Sequence, residues 1–357
     1  MVWCVTYLCQ PKNSEPAEEA LCNGFAKYRD IPANEFFYLG AYLGGSGCGD
    51  AAQDRNVTTM LNDGTSLLDA SGKYRRVRLF DIELCARDKK PHLCTSANLP
   101  LHDWMDELFE FVRLQSRQLV VVHLKSHQDI SLKQFEDVVD EICQLHSERT
   151  LGTDLFEKRK CQFIHIQPQA PRPWPSIGDI VEYYPEMAQW EGDGEDVGVQ
   201  SKIIFTYEAD IANLKNDKPS YFSPTFWKAS RRLGQQTEDL HEQLQYMCKT
   251  KGAIYLRAYP DTNTKDCLAD EKIYDPYFLE NAIAGPTGCN LLDKPAAGTL
   301  NAITMASYHK HLEYLRDIQK RMMHVNYEKF LGHTKKLDAS SLVNIKSRQE
   351  EHVRDEL

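Results

Sequence analysis

The chain has 357 residues, 42% of them hydrophobic and 26% charged, enough to build a real core for one large domain or two modest ones. Its 42 basic residues stand against 52 acidic ones, a net charge of −10, which excludes an electrostatic grip on nucleic acid. No apolar run approaches the length that spans a bilayer, so no transmembrane segment is expected.

Residues 1–20 read as a lead-in. They open on MVWCVTYLC, apolar but short and without the basic start of a signal peptide, and continue into a polar, acidic stretch. Residues 36–42 read as a short strand ending in the glycine-rich LGAYLGGSGCG, where glycine permits positive φ or a close backbone approach. Asn56-Val57-Thr58 is a glycosylation sequon, and 58–69 has the character of a capped helix. Residues 74–129 organise the rest as strand, loop, amphipathic helix and strand. Leu101, Trp104, Met105, Leu108, Phe111 and Val112 recur at helical spacing, and 119–124 is apolar apart from His123. A second helix is expected over 131–147, with strands at 161–166, 202–207 and 254–259 and a helix start after Ser176. From Thr304 onward the pattern is mostly helical. The alternation favours a (βα) barrel or a doubly wound sheet.

Side chains alternate across a strand, so Val77, Leu79, Asp81 and Glu83 share one face and Phe80, Ile82 and Leu84 the other. By the same parity His123 and Lys125 fall with the two carboxylates, at the C-terminal strand ends where parallel α/β folds gather their ligand-facing groups. Asp81-Ile82-Glu83 offers oxygen ligands to a hard divalent cation, calcium or magnesium. The competing reading is an ion pair of these carboxylates with Lys125 or with an arginine in the barrel interior. His123 is either a satisfied core histidine or a base. Eleven cysteines without a CxxC pair read as partly disulfide-bonded in an oxidising compartment, the odd count leaving a free thiol or an intermolecular bond; the competing reading is buried, reduced cysteines.

Several segments, in order, resemble the phosphatidylinositol-specific phospholipase C X-domain superfamily, with the closest look to its secreted, often fungal, branch of PLC-like phosphodiesterases. They include LCNG (21–24), ANEFFYLGAY (33–42), QDRNVTTMLNDG (53–64), VRLFDIEL (77–84) and HLCTS (92–96). PLHDWMDELFEFV (100–112), QLVVVHL (118–124), PWPSIGDIV (173–181), SKIIFTYEAD (201–210) and YFSPTFW (221–227) continue the series. The resemblance implies a distorted TIM barrel over 21–303, followed by a helical C-terminal extension over 304–357. It also implies phosphodiester cleavage of a phospholipid headgroup by two histidines, one acting as base and one as acid.

The chain departs from that pattern where the chemistry lies. The first histidine follows the strand as GAH or GTH in the family; here Gly40-Ala41 is followed by Tyr42. The second follows as LCH; here Leu93-Cys94 is followed by Thr95. His92 falls where the secreted branch carries an additional histidine, and Glu83 replaces an arginine. Lys125 matches a position that relatives use for substrate phosphate. Tyrosine and threonine do not exchange protons near neutral pH as imidazole does. The expectation is a phosphodiesterase fold that is catalytically impaired and acts by binding. The alternative is an active metal-dependent enzyme using Asp81 and Glu83, or one rescued by His92 or His123. The ending Arg354-Asp355-Glu356-Leu357 resembles an endoplasmic-reticulum retrieval signal.

Overall fold

A computed structural model describes residues 23, 26–43, 57–62, 77–94, 99–115, 117–126, 130–151, 161–167, 173–183, 198–208, 221–227, 229–232, 253–258, 299–305 and 326–332. Thr95, the sequon asparagine and the Arg354–Leu357 ending lie outside them.

The molecule is organised around one parallel sheet. Its strands are β1 (Tyr38–Leu43), β2 (Leu79–Arg87), β4 (Leu119–Ser126), β7 (Lys202–Tyr207), β8 (Ala229–Arg232), β9 (Ala253–Ala258) and β10 (Thr299–Met305). They lie in the order β7-β4-β2-β1-β10-β9-β8, and every pairing along that path is parallel. The short β3 (Lys90–Leu93) folds back antiparallel on β2, and β5 (Glu182–Tyr183) pairs with β6 (Gly198–Val199) apart from the main sheet. The helices named here are α1 (Val57–Asn62), α2 (Leu101–Leu114), α3 (Leu132–Leu151) and α4 (Ile177–Val181), and residues 326–332 are also helical.

Strand alternation divides the apolar residues into two cores. Phe80, Ile82 and Leu84 of β2, with Val120, Val122 and Leu124 of β4, join Trp104, Leu108 and Phe135 in the layer between sheet and helices. The opposite face carries Tyr38, Leu79, Val121, Ile204, Tyr255 and Ala302. There they pack with Phe226 and Trp227, and with Ile177, Ile180 and Val181 of α4. Helix α4 starts at Ser176, whose hydroxyl accepts from Asp179 N while the Asp179 carboxylate accepts from Ser176 N.

The sheet is strongly curled around this second core. Adjacent strands lie about 4.8 Å apart, so β4 and β9, four strands apart in the sheet order, would be separated by roughly 19 Å if it were flat. Instead the rings of His123 and Tyr255 have centroids 5.8 Å apart. At the edge of β7, isolated parallel bridges join Ile203 to Ile164 and Phe205 to Phe222, just ahead of β8. The expected strand at 161–166 is thus reduced to the bridge at Ile164.

Strand β10 runs to Met305, so Thr304, expected to begin a helix, lies within the ladders that pair β10 with β1 and β9. Two disulfides, Cys85–Cys94 and Cys143–Cys161, confirm that some of the cysteines are oxidised, as in a protein folded in an oxidising compartment. Among the described residues no helix is long and apolar enough to cross a membrane.

Candidate functional site

A polar row crosses the concave face near the C-terminal strand ends. Register places Tyr42 beside Asp81, Asp81 beside His123, and His123 beside Thr206, so β1, β2, β4 and β7 each contribute one side chain. One step further along, Glu83 lies beside Lys125. Thr304 and Arg257 enter from the other direction through the pairings Gly40 with Thr304 and Thr304 with Arg257. Gly40 is required for space: a Cβ there would fall 2.4 Å from Thr304 Cγ2 and 2.8 Å from Leu79 O.

Asp81 is fully buried and is compensated from across the curl. The Tyr255 hydroxyl donates to Asp81 Oδ2 at 2.6 Å and lies 2.9 Å from Thr304 Oγ1. Arg257 Nε lies 3.1 Å from the same carboxylate oxygen, and its guanidinium sits 4.9 Å over the Tyr255 ring. The outer end of Arg257 donates from Nη1 to Glu208 Oε1. Burial, reinforced by the Asp81 charge, holds the Tyr255 hydroxyl protonated. Glu83, also fully buried, accepts from Lys125 Nζ at 2.9 Å. Tyr42 is buried with its hydroxyl enclosed.

His123 has its Nδ1 2.9 Å from Thr206 Oγ1 and its ring edge-to-face on Trp227 and Tyr255. Burial pushes its pKa down to about 4, outweighing the upward pull of the Asp81 charge, so the imidazole is neutral at neutral pH.

Of the residues singled out from sequence, Tyr42, Asp81, Glu83, His123 and Lys125 come together on the concave face. Asp81 and Glu83 share that face with Leu79 and not the helical layer. His92 lies on β3 opposite Cys85, beyond Glu83 along β2, with its Nδ1 3.1 Å from Lys90 O. Thr95 is outside the described residues; the Cys85–Cys94 bond and the 2.8 Å bond from Cys94 N to Glu83 O fix the residues that lead to it. The sequence reading missed Tyr255, Arg257, Glu208, Thr206 and Thr304. Parity alone groups Tyr255 with Arg257 and Thr206 with Glu208, but nothing local to those strands says that Tyr255 and Arg257 meet Asp81, that Thr206 meets His123 or that Glu208 meets Arg257.

The carboxylates do not fit a divalent cation. Calcium or magnesium takes six or more oxygen ligands, whereas Asp81 already faces a guanidinium at 3.1 Å and Glu83 an ammonium at 2.9 Å. A metal ion there would sit against two fixed positive charges. Among the described residues no group of three or more His, Cys, Asp or Glu is placed to hold a metal ion.

No protein-family model matches the chain. Solved structures that match the chain include the phosphatidylinositol-specific phospholipase C of Listeria monocytogenes. It has 10% identity and a TM-score of 0.46, and the match covers 84% of this chain and 99% of that one. A Staphylococcus aureus phosphatidylinositol-specific phospholipase C matches with a TM-score of 0.44 and 10% identity, over 81% of this chain and 92% of that one. A calcium-dependent phosphoinositol-specific phospholipase C from Pseudomonas sp. gives 0.35 at 11% identity, over 82% and 96%. At these identities none of them assigns a role to a residue of this chain.

Proposed function

We propose that this protein is a phosphodiesterase-fold protein that holds a phosphodiester headgroup, such as that of a phospholipid, at the C-terminal strand ends without hydrolysing it. The ordered sequence resemblance supports the ligand class, and the side chains in the row support the loss of turnover. The observation that carries the reading is the state of His123. It is the one imidazole in the described row, it is buried, and its pKa is depressed to about 4. General acid–base catalysis needs groups that take and give a proton near the working pH, each contributing about 10²–10⁴-fold. Here the strand position of the family's first histidine is Tyr42, and the buried acids beside it are neutralised by Arg257 and Lys125 rather than poised to transfer protons.

The test is an assay on phosphatidylinositol and on generic phosphodiesters, with calcium, with magnesium and with chelator, paired with binding to phosphatidylinositol vesicles. The expected result is vesicle binding without turnover in all three conditions. Robust turnover in chelator sinks the inactive reading. Metal-dependent turnover lost in Asp81→Asn or Glu83→Gln would establish the metal-dependent enzyme instead.

A further inference from the structure

We propose that Glu208 is a gate on the anion side of this site: its carboxylate occupies the outer face of Arg257, and a phosphodiester binds by displacing it. The inference rests on the headgroup-binding reading and adds to it a residue that sets affinity.

Two cations of the row could meet a phosphate, and each is already held by a carboxylate of the chain itself. Lys125 is held by Glu83, and Arg257 by Asp81 on its inner side and Glu208 on its outer side. These carboxylates differ in what they can do. Glu83 and Asp81 are fully buried, and moving either away from its cation would leave a charge in the interior. The Glu208 side chain is 28% exposed, while that of Arg257 is 5% exposed. An anion arriving from solvent therefore meets Glu208 first, and Glu208 can rotate outward into water at little cost. Its backbone cannot follow, because Glu208 N donates to Leu124 O at 3.1 Å at the top of β4.

Arg257 itself is fixed in place by the Tyr255 ring beneath it and the Asp81 ion pair behind it. The fork thus stays put when its outer partner leaves. A guanidinium donates to carboxylate and to phosphate in the same bidentate geometry, so Glu208 and the ligand compete for one place. In this arrangement the charge and reach of Glu208 set the affinity for the phosphodiester.

The experiment is calorimetric titration of the full disulfide-bonded chain with glycerophosphoinositol and, separately, with inorganic phosphate. Glu208→Gln, which keeps the size and removes the charge, is expected to bind glycerophosphoinositol about tenfold more tightly than wild type, the scale of one charge-assisted hydrogen bond released for the ligand. The gain should vanish in the double variant Glu208→Gln/Arg257→Gln. An equal gain for inorganic phosphate shows that the gate acts on the phosphate alone; a gain only for glycerophosphoinositol shows that the headgroup is needed to open it.

Unchanged or weaker binding of both probes by a folded Glu208→Gln overturns the gate while leaving headgroup binding intact. Binding of neither probe by wild type or variant removes both readings. Should the variant fail to fold, a structure of the wild-type chain with glycerophosphoinositol bound decides: Glu208 turned away from Arg257 upholds the gate, and Glu208 still on Arg257 overturns it.

Discussion

The proton chemistry of His123 is governed by its burial more than by the charges around it, and this has a measurable consequence for stability. In the unfolded chain the imidazole titrates near the reference value of about 6.5; in the fold its pKa is about 4. Between those values the unfolded chain binds a proton that the folded chain does not. Stability is therefore fully present above about pH 6.5 and is lost as pH falls toward 4, by a total on the order of 3 kcal/mol. Urea denaturation at pH 7 and pH 4.5 should show this loss, and His123→Gln should reduce it by a comparable amount, leaving the part due to carboxylates. The two acids of β2 should also separate. Asp81→Asn leaves the buried Arg257 without its inner counter-charge and is expected to cost about 3–5 kcal/mol. Glu83→Gln should cost less, because the Lys125 side chain, 24% exposed, can turn its ammonium to water. Equal costs in denaturant titrations would show that the Asp81–Arg257 pair is not the more deeply committed one. At this scale parity had already put Asp81, Glu83, His123 and Lys125 on one face, and the ion-pair reading of the carboxylates named Lys125 and an interior arginine. Which arginine, and the presence of Tyr255, depends on contacts across 174 residues of chain, which no local pattern encodes.

Elements were legible where their hydrophobic period was strong. Helix α2 buries Leu101, Trp104, Met105, Leu108, Phe111 and Val112, the stripe that the 3.6-residue period marks out, and its Trp104 meets Phe80 with ring centroids 5.5 Å apart. Strand β10 was not legible, because TLNAITM has no clean alternation. It is a strand because β1 and β9 flank it on both sides and satisfy its backbone. The glycine-rich turn after β1 suggested conformational freedom, yet Gly40 matters for the close approach of β10. Gly40→Ala would push a methyl group into Thr304 and the Leu79 carbonyl, and we expect it to destabilise the fold by about 1–3 kcal/mol, as overpacking does. Thermal unfolding of the variant checks this; an unchanged melting temperature would mean that β1 and β10 are free to move apart.

At the scale of the molecule, the described stretch 326–332 is tied to the start of the sheet. In the helical stretch 326–332, Asn326 is buried, and its side chain accepts from Phe37 N at 2.9 Å and donates to Phe37 O at 3.4 Å, just ahead of β1. Asn326→Ala would leave those backbone groups without that partner and is expected to cost about 1–3 kcal/mol. Chemical denaturation of the variant should show one cooperative transition at lower denaturant. A loss confined to a separate transition would make the tail an independent unit. The sequence by itself determined the class of fold, the identity of the main helices, the face on which the acids of β2 lie and the oxidation of part of the cysteines. These follow from periods of two and 3.6 residues and from composition, which are properties of neighbours along the chain. Only the tertiary structure decided that Tyr255 and Arg257 meet Asp81 with Glu208 on the outer side of Arg257, that Thr304 is strand and that Asn326 hydrogen-bonds the Phe37 backbone. Each of those depends on the curl of the sheet or the return of a distant segment, and the energy that fixes them comes from burying charges and backbone groups beside partners far away in sequence.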